Sequence, residues 1–168
     1  LFSDARVVHR LAQATSGLMI FARGPAAQRI LSRAFAERRV AKRYTAIVAG
    51  LPAAAAGPIE LPLAADWPNR PRQQVDAVRG KASVTHWRLL AHDAATGTSR
   101  LELEPLTGRS HQLRVHLLAL GHPIVGDALY APPDVLARSP RLLLHAQSLS
   151  LAHPVSGVTL QFDSPAPF

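Results

Sequence analysis

Apolar and polar positions along this chain fall into short stretches with two different periods, which predicts a domain built mainly of strands with few helices. Leu18 to Ala22 is a continuous apolar run of strand length, and Arg43 to Val48, Ile59 to Leu63, Ala82 to Leu90 and Val158 to Phe162 read as further strands. In Arg100 to Glu104, Leu101 and Leu103 alternate with charged residues, the pattern of a half-buried strand. The spacing turns helical twice. Gly24-Pro25 opens a helix through about Arg38, with proline in its first turn and Ile30, Leu31, Ala34 and Phe35 as its apolar face. Leu113, Leu117 and Leu120 then recur at helical spacing until Gly121, with Pro123 beyond and Ser110 as the predicted N-cap.

Between these elements, Gly50 through Gly57 reads as a connecting loop and His153 through Gly157 as a turn. Asp66-Trp67-Pro68-Asn69-Arg70-Pro71-Arg72 is too rich in proline for a helix and reads as an ordered surface loop. The first six residues carry no start signal, so the expectation is a single domain over 1–168 with something missing upstream. Length and a hydrophobic content of 48% suffice for one core without disulfides or metals.

Charge narrows the function. Lys and Arg total 19 against 11 Asp and Glu, a net +8, and only Lys42 and Lys81 are lysines. Guanidinium forks match phosphate bidentately and stack on bases, so a polyanion such as RNA is the expected partner. The absence of cysteine excludes a thiolate zinc site and a cysteine nucleophile, and no run is long enough for a membrane helix, so a cytoplasmic protein is expected.

Common catalytic motifs are missing. His111, His116 and His122 lie close in sequence but at spacings that do not share a helix face, so no metal is expected. Ser16 and Ser110 lack a nucleophile elbow, and no glycine-rich loop would cradle a nucleotide cofactor. What remains are clusters in which cations alternate with hydrogen-bonding or aromatic groups: His9-Arg10, Arg109 through Arg114, and the Trp67 loop. Such groups suit phosphates and unstacked bases.

Three stretches resemble, in order, motifs of the RluA-type RNA pseudouridine synthases. His9-Arg10-Leu11-Ala12-Gln13-Ala14-Thr15-Ser16-Gly17 is similar to that family's HRLDxxTSG, Lys42 to Gly50 to its KxYxAxVxG, and Gly108 to His116 to its GRxHQxRVH. The Asp66 to Arg72 loop and Pro140 to Ala146 look more like its dual-specificity branch, which acts on large-subunit rRNA and the tRNA anticodon stem-loop. The resemblance implies an α+β fold with a mixed, mainly antiparallel sheet flanked by helices, acting as a monomer without cofactor. An aspartate drives the family's chemistry, by attacking the sugar or abstracting a proton, and Ala12 stands at its position. Gln13 is no substitute, since an amide is not basic and in an extended segment it would point to the opposite face. By the same resemblance Arg114 pairs with the aspartate, Tyr44 stacks on the target base and Arg10 contacts the RNA where the uridine leaves. His9, Arg109, His111 and Gln112 would be further RNA contacts. Read from residues alone, Tyr44 could equally be a core strand residue and Arg114 could bridge another carboxylate. The family's upstream Asn-Lys-Pro segment does not occur. Two functions follow: a synthase inactivated at Ala12, or a synthase-derived protein that only binds or folds RNA.

Overall fold

Alternating strands too polar to be buried on both faces need cover on their apolar side, and the computed structural model supplies it by packing helices against a sheet. It describes residues 3–168; part of the chain-start reading falls on residues 1 and 2, outside the described residues. Along the chain run β1 (Ala5–Val7), β2 (Ser16–Gly17), β3 (Phe21–Arg23), α1 (Gly24–Ala36), β4 (Ala41–Ala49), β5 (Ala56–Glu60), β6 (Leu63–Ala65) and β7 (Gln73–Val75). They are followed by β8 (Val84–Asp93), β9 (Thr98–Pro105), α2 (Gln112–Ala119), α3 (Pro133–Leu136), β10 (Leu144–Ala152) and β11 (Thr159–Asp163). Seven strands form one sheet in the order β11-β10-β4-β9-β8-β5, with β2 joining β10 in parallel and every other pair antiparallel. Two small ribbons, β1 with β3 and β6 with β7, lie outside it. The fold is α+β with a mixed, mainly antiparallel sheet, as the sequence predicts.

The β9 alternation is realised as read, with Leu101 and Leu103 fully buried and Arg100, Glu102 and Glu104 half-buried between and beside them. These leucines join Ala46 and Val48 of β4, Trp87 of β8 and Leu113 and Leu117 of α2 in the main core. A second cluster places Leu31 and Ala34 of α1 against Leu149 and Leu151 of β10. Ile30 stays 46% exposed, although it was assigned to the apolar face of α1. Adjacent helical residues point about 100° apart, so a helix that buries Leu31 and Ala34 turns Ile30 outward.

Other boundaries shift for local reasons. Of the run Leu18 to Ala22 only Phe21 and Ala22 lie in a strand; just before the run Gly17, at φ 113°, lies so close to β10 that an added Cβ would sit 2.3 Å from the Ala146 carbonyl oxygen. The parallel pairing ends there, and β3 starts afresh at Phe21. Ile59 to Leu63 is likewise split between β5 and β6, since Pro62 has no N–H to give the ladder. β5 also begins inside the expected loop, at Ala56. Gln13 occupies a turn, not an extended segment: the Thr15 N–H donates to the Ala12 carbonyl over 3.0 Å and Ala14 takes φ 70°. Ser110 does not cap α2, because His111 holds that position in a left-handed conformation, φ 53°, without a side-chain cap.

Two histidines are built into the interior as neutral rings. His116 is fully buried, with Nδ1 2.9 Å from Thr85 Oγ1 and Nε2 3.0 Å from the Leu61 carbonyl. His9 stacks on Phe35 with centroids 4.3 Å apart, and its Nε2 accepts the Ile20 N–H over 2.9 Å. Burial lowers the pKa of both, and for His9 nearby Lys42 adds to the effect. In the unfolded chain both titrate near their ordinary value of about 6.5. Below that pH the unfolded state binds protons that the folded state refuses, so stability falls with falling pH until the lowered native values are passed. Glu37, Asp76 and Asp93 have lowered values and act only in the carboxylate range. Urea unfolding should therefore show a lower midpoint at pH 5.5 than at pH 7.5 (values chosen about one unit either side of 6.5), and an unchanged midpoint would contradict this account.

Candidate active site

Four parts of the chain converge on a cleft of about 560 Å³. Lys42 and Tyr44 come from one face of β4, Ala12 and Thr15 from the turn before β2, Pro105 and Thr107 to Arg114 from the end of β9 and the start of α2, and Ala65, Trp67 and Arg70 to Gln73 from the hairpin that joins β6 to β7. Arg10, Arg70, Arg72, Arg109, Arg114 and Lys42 line it, and no Asp or Glu does so among the described residues. Two buried polar atoms of lining residues, Thr15 Oγ1 and Arg72 Nε, have no protein partner. The cleft is built for an anion with hydrogen-bonding edges.

Tyr44 is half-buried on the cleft wall, and burial pushes its phenol up to about 12. It remains protonated at any working pH, so it offers a ring face and an O–H donor but no base. Arg10 is exposed, with Nη2 3.3 Å from Ser110 Oγ, and Arg109 holds the Ala82 carbonyl through Nε and Nη2, each at 3.3 Å. His111 reaches the cleft with Nδ1 2.7 Å from Tyr130 Oη. Its pKa is lowered, first by burial and then by the Arg114 charge, which leaves a neutral ring.

Two of the expected RNA contacts have other work. Gln112 is buried, and its amide is saturated: Oε1 accepts from Thr107 Oγ1 and the Arg109 N–H at 2.7 and 3.0 Å, while Nε2 donates to the Val84 carbonyl and Thr85 Oγ1, each at 3.0 Å. An amide has two donors and two lone pairs, so nothing is left for RNA. His9 is absent from the cleft wall, its ring used by Phe35 and Ile20. The three histidines once grouped in sequence also go separate ways, with His122 Nδ1 donating to the Ala49 carbonyl over 2.8 Å.

Arg114 departs from the expected pairing. It is 4% exposed and bound bidentately to Asp127, Nε to Oδ2 at 2.8 Å and Nη2 to Oδ1 at 2.5 Å. Asp127, 1% exposed, also accepts the Leu129 and Tyr130 N–H groups at 2.9 and 3.1 Å. Sequence reasoning missed Asp127; the available signal was a lone carboxylate in the apolar run Ile124 to Tyr130. The Trp67 loop forms a short 3-10 turn over Trp67–Asn69, with the Trp67 ring 63% exposed and the Arg70 guanidinium 3.5 Å above it. Asp127→Ala should cost about 3–5 kcal/mol by stranding the guanidinium. Adding Arg114→Met should recover most of that loss in urea unfolding, because no buried charge then remains.

This arrangement can be set beside known proteins. The family model described as RNA pseudouridylate synthase matches residues 3–119. The dual-specificity RNA pseudouridine synthase RluA of Escherichia coli is 50% identical over 99% of this chain and 76% of its own length. That of Yersinia pestis is 48% identical over 99% and 81%. Among solved structures, human RNA pseudouridylate synthase domain containing 1 superposes with a TM-score of 0.88 at 35% identity, over 99% of this chain and 71% of that one. Human RNA pseudouridylate synthase domain containing 4 gives 0.81 at 27%, over 97% and 72%. With its fold, three motifs and family match in agreement, this chain belongs to the RNA pseudouridylate synthases, isomerases that convert uridine in RNA to pseudouridine.

Proposed function

We propose that the cleft takes one uridine flipped out of an RNA stem-loop, as in large-subunit rRNA or a tRNA anticodon arm, and that Ala12 leaves the chemical step without its carboxylate. The observation that carries this reading is a cleft lined by five arginines and Lys42 but, among the described residues, by no Asp or Glu, with Ala12 on its wall. Isomerisation detaches uracil at N1, turns it and rejoins it through C5, so the base must leave its stack and be gripped. Tyr44 supplies a face for the base, Arg10 and Arg109 face the backbone, and Arg114, held by Asp127, keeps positive charge at the cleft wall. Among the described residues lining the cleft no carboxylate stands in for it: Tyr44 stays a phenol, the Gln13 amide is not basic, and the neutral His111 ring is engaged by Tyr130 Oη. No cofactor is called for. The cleft is made within one chain, so a monomer would suffice. Among the described residues no helix is long and apolar enough to cross a membrane.

C5 loses its hydrogen when the new bond forms, so tritium release from C5-labelled stem-loops reads the reaction directly. The chain as it stands should release little, whereas Ala12→Asp should release it at least about 10²–10⁴-fold faster, the usual contribution of a placed acid or base. The second reading, a protein that binds or folds RNA without catalysis, is favoured by the same lack of a carboxylate. It would be preferred if both forms bound stem-loops tightly and neither released tritium.

Stacking on Tyr44 has its own test. Base–aromatic stacking contributes about 1–3 kcal/mol per base. Tyr44→Ala should weaken stem-loop binding by roughly 5- to 150-fold on that scale, while Tyr44→Phe should bind nearly as the parent does, as read by fluorescence anisotropy.

A further inference from the structure

Lys42 is a half-buried cation that no carboxylate pairs among the described residues. It lies half-buried on β4, lining the main cleft and also a second cleft of about 340 Å³ on its other side, whose walls include Arg38, Arg39, Glu104 and Gly108. Among the described residues no carboxylate lies within ion-pairing distance of Lys42: Glu37 is taken by Arg33 and Arg39, and Glu102 by Arg88. Glu104 lines the second cleft but makes no such pair. His9 nearby is neutral, its ring nitrogen accepting a backbone N–H. Burial also depresses the Lys42 pKa. Desolvating an unpaired ammonium costs stability, and a site that holds one in place recovers that cost when an anion arrives.

The position is specific. Lys42 and Tyr44 are alternate residues of one strand, so they point to the same face about 7 Å apart. Gly108, on the opposite lip, leaves the ammonium uncovered, since a Cβ there would lie 3.9 Å from Lys42 Nζ. Resting on the reading that Tyr44 faces the flipped uracil, we propose that Lys42 holds the RNA phosphodiester next to the target uridine and directs the strand over Gly108 into the second cleft, toward Arg38. Such a contact positions the substrate and carries no base information.

The test measures binding of a uridine stem-loop and its cytidine counterpart against salt concentration, for the parent chain, Lys42→Gln, Lys42→Arg and Gly108→Leu. Each phosphate contact on a single strand contributes about 0.7 to the slope of log Kd against log salt. Lys42→Gln should bind more weakly by the same factor on both RNAs and lose about 0.7 of slope, and Lys42→Arg should restore it. Gly108→Leu, which covers the ammonium without removing it, should lower the slope as well. Thermal melting of each variant separates a folding defect, which would reduce the active fraction and leave the slope alone. If the parent binds and Lys42→Gln retains the full slope, the phosphate contact is refuted while the RNA reading stands; if the parent binds no stem-loop, both fall.

Discussion

Arg114 and Asp127 are both almost wholly withdrawn from water, and the shape of the cleft depends on their finding each other. A guanidinium at that depth is tolerable only with a carboxylate in bidentate contact and the remaining lone pairs satisfied, which the Leu129 and Tyr130 N–H groups provide. Those same bonds close the turn after Asp127 and aim Tyr130 inward. The Tyr130 hydroxyl then meets His111 on one side and accepts the Gln73 N–H over 2.8 Å on the other. One ion pair thus links, through the Ile124 to Tyr130 turn, α2 and the β6–β7 hairpin, two of the walls around the cleft.

A second polar assembly fixes α2 against the sheet. Gln112 and His116, one helical turn apart, both bond Thr85 of β8, and His116 also reaches the Leu61 carbonyl between β5 and β6. Hydrophobic contact from Leu113 and Leu117 would hold the helix on the sheet without deciding its rotation. Directional bonds to buried groups decide it, because a helix turned by one residue would leave several of them unpaired. The rotation in turn sends Arg114 toward Asp127 and leaves Arg109 and His111 at the rim. Interior polar residues of this chain therefore serve the site indirectly, by pointing its cations.

This division explains which site residues were legible beforehand. Tyr44, Arg10, Arg109, His111 and Arg114, which the motifs single out, all line the cleft, since a strand face or a turn at a fixed motif position presents its side chains in a predictable direction. Gln112 and His9 sit in the same motifs yet serve packing. Sequence does not distinguish an amide that greets a ligand from one whose four hydrogen-bonding positions are already filled. Asp127 escaped notice because its meaning lies in a partner thirteen residues away, across a helix end and a turn. Lys42 was visible only as a letter in a strand motif; that it lacks a counter-ion between two clefts depends on distant segments.

The sequence by itself determined the class of fold, the family and the anionic nature of the partner. Alternation at Leu101 and Leu103, helical spacing at Leu31 and Ala34, and an excess of arginine are local properties, and local periodicity or composition is enough to express them. Tertiary structure decided where strands break, after Gly17 against the Ala146 carbonyl and at Pro62 between the main sheet and a ribbon, and which charges meet. Ion pairing and saturation of buried hydrogen bonds depend on distances of a few ångströms between segments far apart in the chain. No local pattern encodes such distances; they exist only once the sheet has closed and α2 has been locked upon it.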